Sequence, residues 1–310
     1  MDARMTASLA AGIISALATL AAVRGLPLGG VLFWFSPFPL FALAFAFGSA
    51  ALPMAAGAGA LVAIVSGGLP AAVMWVLLFA LPCALMAVLA VRGGAALALG
   101  LPFALLALWP ALLLAAAEVA LAGEPGGLSG TLRRAVEAAL ARVGAPPDAQ
   151  MAAVIDTVVR LKPLAFAIWF AAVTTLNASL AQSFVARRGL LVLPPARWSL
   201  ASLPLWYAPV AVIPALVAGL APGEPGFFAQ GLAMMLAVPL VLQGLAVVHV
   251  ISLGKPARIV LLAGVYLGLA VFLVPFGLAL AGLGLAEFVL NLRARAQSRG
   301  QQPGSTPPDE

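Results

Sequence analysis

Residues 25–91 read GLPLGGVLFWFSPFPLFALAFAFGSAALPMAAGAGALVAIVSGGLPAAVMWVLLFALPCALMAVLAV, 67 consecutive positions without one Asp, Glu, Lys or Arg. A single charge at the centre of a bilayer costs about 2.5–3.5 kcal/mol even on insertion scales, so a run of this length and apolarity marks lipid. A crossing helix needs about 20 residues; the run therefore folds back on itself and holds three. Its apolar residues are continuous and do not alternate with period two, which selects helices over a β-barrel.

Outward from this stretch, charge-free runs recur over 5–23, 93–117, 163–186, 198–223, 225–254 and 259–286. Pro and Gly punctuation divides them at roughly 6–23, 29–47, 50–67, 70–91, 95–121, 163–186, 204–221, 228–252, 257–274 and 276–292. Read as one helix, 257–292 would be about 54 Å long, well beyond a hydrocarbon core of about 30 Å, so Val274-Pro275-Phe276-Gly277 is read as a break. The fold class this predicts is all-α: a polytopic integral membrane protein of about ten transmembrane helices, with two amphipathic helices in an outer loop. One transmembrane domain is expected over 1–295, including an extracytoplasmic insert at 122–162, followed by a disordered cytoplasmic tail over 296–310.

The whole-chain composition agrees. Only 8% of the 310 residues are charged and 64% are hydrophobic, against about 25% charged in a soluble domain, so a soluble enzyme is excluded. Lys and Arg are retained on the cytoplasmic side of a membrane. With ten crossings and the N-terminus inside, Arg4, Arg92, Arg187, Arg188, Arg197, Lys255, Arg258, Arg293, Arg295 and Arg299 are cytoplasmic, while Arg24, Arg133, Arg134, Arg142, Arg160 and Lys162 lie outside. The expected location is the bacterial inner membrane with both termini cytoplasmic. The net charge of +6 follows from this loop asymmetry; the scattered cations show no nucleic-acid-binding pattern. Met1–Val23 reads as an uncleaved first helix rather than a signal peptide, because many spans follow.

In the 122–162 insert, Leu132, Val136, Leu140 and Val143 recur at helical spacing with Arg133, Arg134, Glu137 and Arg142 facing away. Gly144-Ala145-Pro146-Pro147 ends that helix. Asp148 caps a second one, whose apolar face is Met151, Val154, Ile155 and Val158 and which leads through Pro163 into the sixth span. Such helices lie on the membrane surface or fold over a cavity as a lid.

Chemistry-bearing residues are scarce. Cys83 and His249 are each the only one of their kind, which removes zinc sites built on several His or Cys and Cys–His nucleophilic pairs. No phosphate-binding GxxxxGK[ST] loop occurs around Lys255. Gly127-Leu128-Ser129-Gly130 resembles an intramembrane serine protease GxSG, but it lies in a Gly-rich extramembrane turn, where Ser129 is better placed to cap the 131–143 helix. No catalytic, cofactor-binding or metal-binding residue is assigned, and no cofactor. Polar residues inside spans are the better candidates. Asn177 and Gln182 on the sixth span, Gln243 on the eighth, and Ser36, Pro37 and Pro39 at a Pro-rich interruption are the candidate solute-facing residues; Asn177 and Gln243 suit helix–helix hydrogen bonding better than ligand contact. Glu287, with Arg258 entering from the same side, forms a candidate structural ion pair. Ala7, Ala11, Ser15, Ala18 and Ala22 make a small-residue stripe on the first helix, a candidate docking surface, and Gly264 and Gly268 make a GxxxG surface on the ninth.

Ser36-Pro37-Phe38-Pro39-Leu40-Phe41, Gly244-Leu245-Ala246-Val247-Val248-His249 and Gly282-Leu283-Gly284-Leu285-Ala286-Glu287 leading to Arg293 resemble the YybS-like family of uncharacterised bacterial membrane proteins. The resemblance covers most of the chain, with the Ser-Pro-x-Pro stretch its distinctive part. That family is distantly similar to the substrate-binding S components of energy-coupling-factor transporters and to a rod-shape membrane subunit. S components bind a small molecule and dock on an energising module through a small-residue stripe such as Ala7, Ala11, Ser15, Ala18 and Ala22. More spans than the usual six, and the 122–162 insert, depart from that pattern. The expected function is non-enzymatic and transport-related, either small-solute binding or a membrane subunit of a transporter. The alternative is a structural or assembly protein organising cell-envelope machinery through helix contacts. Expected partners are membrane lipids, other membrane-protein subunits and a small solute, with no nucleic acid.

Overall fold

The computed structural model of the protein describes residues 2–91, 99–144, 151–192 and 201–300. Among these every regular element is helical. The chain forms two compact units, residues 1–196 and 197–310, where the sequence reads as one continuous domain over 1–295. The first contains α1 (Ala3–Val23), α2 (Gly29–Trp34), α3 (Pro37–Phe47), α4 (Leu52–Trp75), a π turn (Val76–Ala80), α5 (Leu81–Val91), α6 (Gly100–Ala120), α7 (Gly127–Arg142) and α8 (Ala152–Ala186). The second contains α9 (Tyr207–Leu220), α10 (Gly223–Ile251), α11 (Arg258–Val271), α12 (Leu273–Leu290) and α13 (Leu292–Gly300).

Among the described residues, seven stretches are long and apolar enough to cross a membrane: Ala3–Val23, Gly29–Phe47, Ser49–Ala90, Gly100–Ala120, Ala152–Ala186, Gly223–Ile251 and Leu273–Leu290. The apolar helices α9 and α11 have 14 residues each, about 21 Å. Ser49–Ala90 is not one rod. Gly68 sits at φ 77° and ψ 179°, a conformation open to glycine, and Pro70 follows. Beyond the bend the ring of Trp75 lies against Gly59, sixteen residues earlier, a separation of about 24 Å along a straight helix. The chain therefore doubles back at Gly68.

Glycine crossings hold each unit together. A Cβ on Gly12 of α1 would fall inside the backbone of Ala55 on α4. In the second unit, Gly244 of α10 lies on the Leu280 carbonyl of α12 while Gly284 of α12 lies on the Leu240 carbonyl of α10. Lipid supplies no hydrophobic drive between helices, so close backbone approach at small residues does this work. Of the Gly264/Gly268 pair, Gly268 receives the ring of Phe276 and Gly264 faces open space.

Several boundaries differ from the sequence reading. The last hairpin breaks at Phe272 (φ −121°, ψ 59°) rather than at Pro275, because a proline in the first turn of α12 has no amide hydrogen to lose there. Helix α7 begins at Gly127, so Ser129 lies inside its first turn and donates to the Gly126 carbonyl at 3.2 Å; it is not the N-cap. The second amphipathic helix and the sixth span are one helix of 35 residues with Pro163 inside it. Helix α13 continues through 296–300, which the sequence assigns to the tail. Residues 301–310, and with them Arg92, Pro146, Pro147, Asp148 and Arg197, lie outside the described residues.

Candidate functional site

Ser36, Pro37 and Pro39 separate α2 from α3. Pro37 brings no N–H, and the Phe38 amide bonds Phe35 at 3.1 Å instead of reaching Trp34, so the Trp34 carbonyl is left without its helical donor. Asn177 of α8 supplies one: its Nδ2 donates to Trp34 O at 2.7 Å and to Val173 O at 2.7 Å. With both amide hydrogens committed to carbonyls, Oδ1 is buried with no hydrogen-bond partner. On the other side of the break the Thr19 hydroxyl donates to Ser36 Oγ at 2.9 Å, and Trp75 Nε1 donates to Ser15 Oγ at 3.0 Å. Ser15, Thr19, Ser36, Trp75 and Asn177 are each at most 1% exposed.

Two more breaks in this unit are served in the same way. Pro70 cannot donate to Ser66, and the Arg24 guanidinium donates to the Ser66 carbonyl. In the π turn the Leu81 amide bonds Val76 and Pro82 has none, so Leu77 O loses both its helical donors; Trp109 Nε1 of α6 fills the gap at 2.8 Å.

The second unit buries a non-helical stretch before α9, with Ala201 3% and Leu203 4% exposed. Its polar groups also meet side chains. Gln243 Oε1 accepts from Leu203 N at 2.8 Å while its Nε2 donates to Gly284 O at 2.8 Å. Arg293 donates to Ala201 O at 2.8 Å and pairs with Glu287 through Nε and Oε1 at 2.8 Å. A buried ion pair repays its desolvation only with good geometry and further hydrogen bonds, and the Arg293 amide adds one to Glu287 Oε2 at 3.3 Å. Tyr207 donates to Leu236 O at 2.8 Å.

These contacts correct two expectations. Glu287 pairs with Arg293 and not with Arg258, whose Nε has no hydrogen-bond partner. The reason is Asn291: at φ 47° and ψ 49° it stops α12 in the left-handed conformation and turns Arg293 back on the helix it has just left. The small-residue stripe on α1 is also no free docking surface. Ala11 and Ser15 are buried and Ala7, Ala18 and Ala22 half-buried, packed within the unit, while Ile14 and Leu17 are 55% and 50% exposed on another face. Of the candidate solute-facing residues, Ser36, Pro37, Asn177 and Gln243 are buried, and Pro39 and Gln182 half-buried.

His249, half-buried on α10, has Nδ1 2.9 Å from the Leu245 carbonyl and Nε2 3.5 Å from the Tyr266 hydroxyl; the carbonyl can only accept, so Nδ1 is the donor there. Among the described residues no three His, Cys, Asp or Glu side chains come together as a metal site would require. Comparisons with protein-family models, curated proteins and solved structures find no match to this chain.

Proposed function

We propose that the chain is a non-catalytic, multi-pass subunit of a transport assembly in the bacterial inner membrane. The observation that carries this reading is the set of three discontinuities in the first unit, at Ser36–Pro37, Gly68 and the π turn, each with a freed carbonyl met by one side chain from a distant part of the chain. Broken helices at membrane depth are tolerated where protein covers the freed backbone, and transporters use them recurrently. Ten crossings follow when Ser49–Ala90 counts as two arms and α9 and α11 as short spans. The first unit then holds six, the number usual for S components, and the second adds four.

In this proposed topology Arg24 and the Gly68 bend share one side, and the Arg24–Ser66 hydrogen bond supports that reading. Val192 N donates to Phe45 O at 3.0 Å, in keeping with both lying on the other side. Reporter fusions test it: residue 140 reads outside, residue 190 and the C-terminus inside, and a cytoplasmic signal at 140 overturns the orientation.

The structural or assembly role has its own support, since Asn177, Gln243 and Ser36 are sealed in packing rather than open to solvent. Purification in mild detergent with identification of co-purifying proteins and small molecules separates the two. An energising ATPase module supports the transport reading; envelope-synthesis proteins without one overturn it.

A further inference from the structure

Helix α8 is about 52 Å long at 1.5 Å per residue, against a hydrocarbon core of about 30 Å. Five of its exposed apolar residues share one face. Leu176, Ile168 and Leu161 are 45%, 36% and 38% exposed, and Val158 and Val154 continue the same face at 40% and 61%. The opposite side of the first turns is used up, because Ile155 and Val159 are buried where α7 packs. The apolar stripe thus overruns the span by about three turns, past Pro163, onto the part of the hairpin that stands outside the membrane.

Charge around the overrun is one-sided. Arg133 is paired with Glu137 and Asp156, and Arg134 with Glu124. Arg142, Arg160 and Lys162 are exposed and have no carboxylate partner among the described residues. Arg142 ends α7 beside Val143, itself 77% exposed, and Lys162 stands directly before Pro163. Valines and a leucine bordered by unpaired cations, continuous with a lipid-facing stripe, fit one neighbour already present, the headgroup layer of the adjoining leaflet. A helix longer than the bilayer is thick accommodates by tilting; tilting α8 along its apolar stripe lowers Val154, Val158 and Leu161 onto that layer.

We infer that the α7–α8 hairpin is a binding surface for anionic phospholipid, with Arg142, Arg160 and Lys162 meeting the phosphates and Val154, Val158 and Leu161 seated at the acyl boundary. The inference rests on the chain spanning the membrane and not on the transport role, so it stands or falls separately from that role.

The test uses the full-length protein in nanodiscs of phosphatidylcholine with and without phosphatidylglycerol. A nitroxide is attached at Val158→Cys, with Val154→Cys as a second position; Cys83 is buried at 3% exposure and stays unlabelled. With phosphatidylglycerol the label passes from access by an aqueous relaxant to access by oxygen in the lipid. The Arg142→Gln/Arg160→Gln/Lys162→Gln variant abolishes that passage and retains less phosphatidylglycerol in native mass spectrometry, by about fivefold per cation removed. All three substitutions are on exposed side chains, and an unchanged elution profile shows that the variant is folded. A label that stays water-accessible in both membranes overturns the inference. So does one that is lipid-accessible without phosphatidylglycerol and indifferent to the charges, or one shielded from both relaxants by a protein contact.

Discussion

Asn177 stands 143 residues from Trp34 in the chain, and its side-chain amide donates to the Trp34 carbonyl at 2.7 Å, closing the backbone where α2 gives way to α3. In water such a carbonyl would find a solvent donor; in a bilayer it has only protein. The polar side chains within these helices are thus placed by the breaks they serve. A helix that stops at membrane depth fixes the need for a donor, and a neighbouring helix supplies it.

Replacing Asn177 tests this directly. Asn177→Ala leaves Trp34 O buried without a donor and costs about 1–2 kcal/mol, read as a lowered thermal transition in detergent. Asn177→Asp places a third oxygen between the Trp34 and Val173 carbonyls and is expected to destabilise more than alanine does. Equal losses for the two variants would show that the carbonyls are not the partners.

Glu287 and Arg293 form the only ion pair among the described residues with both side chains near 10% exposure. Removing one partner of a buried pair costs about 3–5 kcal/mol, so Glu287→Ala and Arg293→Ala each lower the transition strongly. Their double variant loses much less than the sum. The same cycle with Arg258 in place of Arg293 is expected to be additive, and coupling there would return the pair to the partners that the sequence reading assigns.

Trp109 and Pro82 are linked through the Leu77 carbonyl. Trp109→Phe keeps the ring and deletes the N–H, for a loss of about 1 kcal/mol. Pro82→Ala restores a backbone N–H within reach of the same carbonyl. The tryptophan substitution should therefore cost less in the Pro82→Ala background, as a double-mutant cycle in thermal unfolding would measure. A cost that does not change separates Trp109 from the π turn.

Much of this architecture is legible in the sequence because lipid leaves few choices. The charge-free runs fall on the long helices, and Ser36-Pro37 and Gly67-Gly68-Leu69-Pro70 mark where the backbone bends, since proline removes donors wherever it stands. What answers each break is not legible. Asn177, Arg24 and Trp109 reach theirs across 143, 42 and 32 residues, a matter of packing that no local spacing encodes. Glu287 is instructive in the opposite direction. Its partner lies six residues away, but the left-handed turn at Asn291 brings it there, and an asparagine at a helix end announces that conformation only weakly. The α1 stripe was ambiguous for a related reason: small residues suit contact inside the unit as well as outside it, and the Gly12–Ala55 approach shows the first use.

The glycines give the sharpest contrast. Gly244 and Gly284 each lie where a Cβ would enter the carbonyl of Leu280 or Leu240. Both neighbours are backbone and cannot swing aside as a flexible side chain would, so even Gly244→Ala or Gly284→Ala must push α10 and α12 apart. That separation also pulls Gly284 O from Gln243 Nε2, now 2.8 Å away, so one methyl removes both the close packing and the hydrogen bond beside it. Gly264 has the same residue type and helical setting but faces open space. There alanine relieves the helix of glycine's backbone freedom and stabilises by up to about 1 kcal/mol. Thermal unfolding of the three single variants in one detergent should therefore fall for Gly244→Ala and Gly284→Ala, and hold or rise for Gly264→Ala. A fall at Gly264 equal to the other two would place a close helix contact on α11 and reassign that face from lipid to protein.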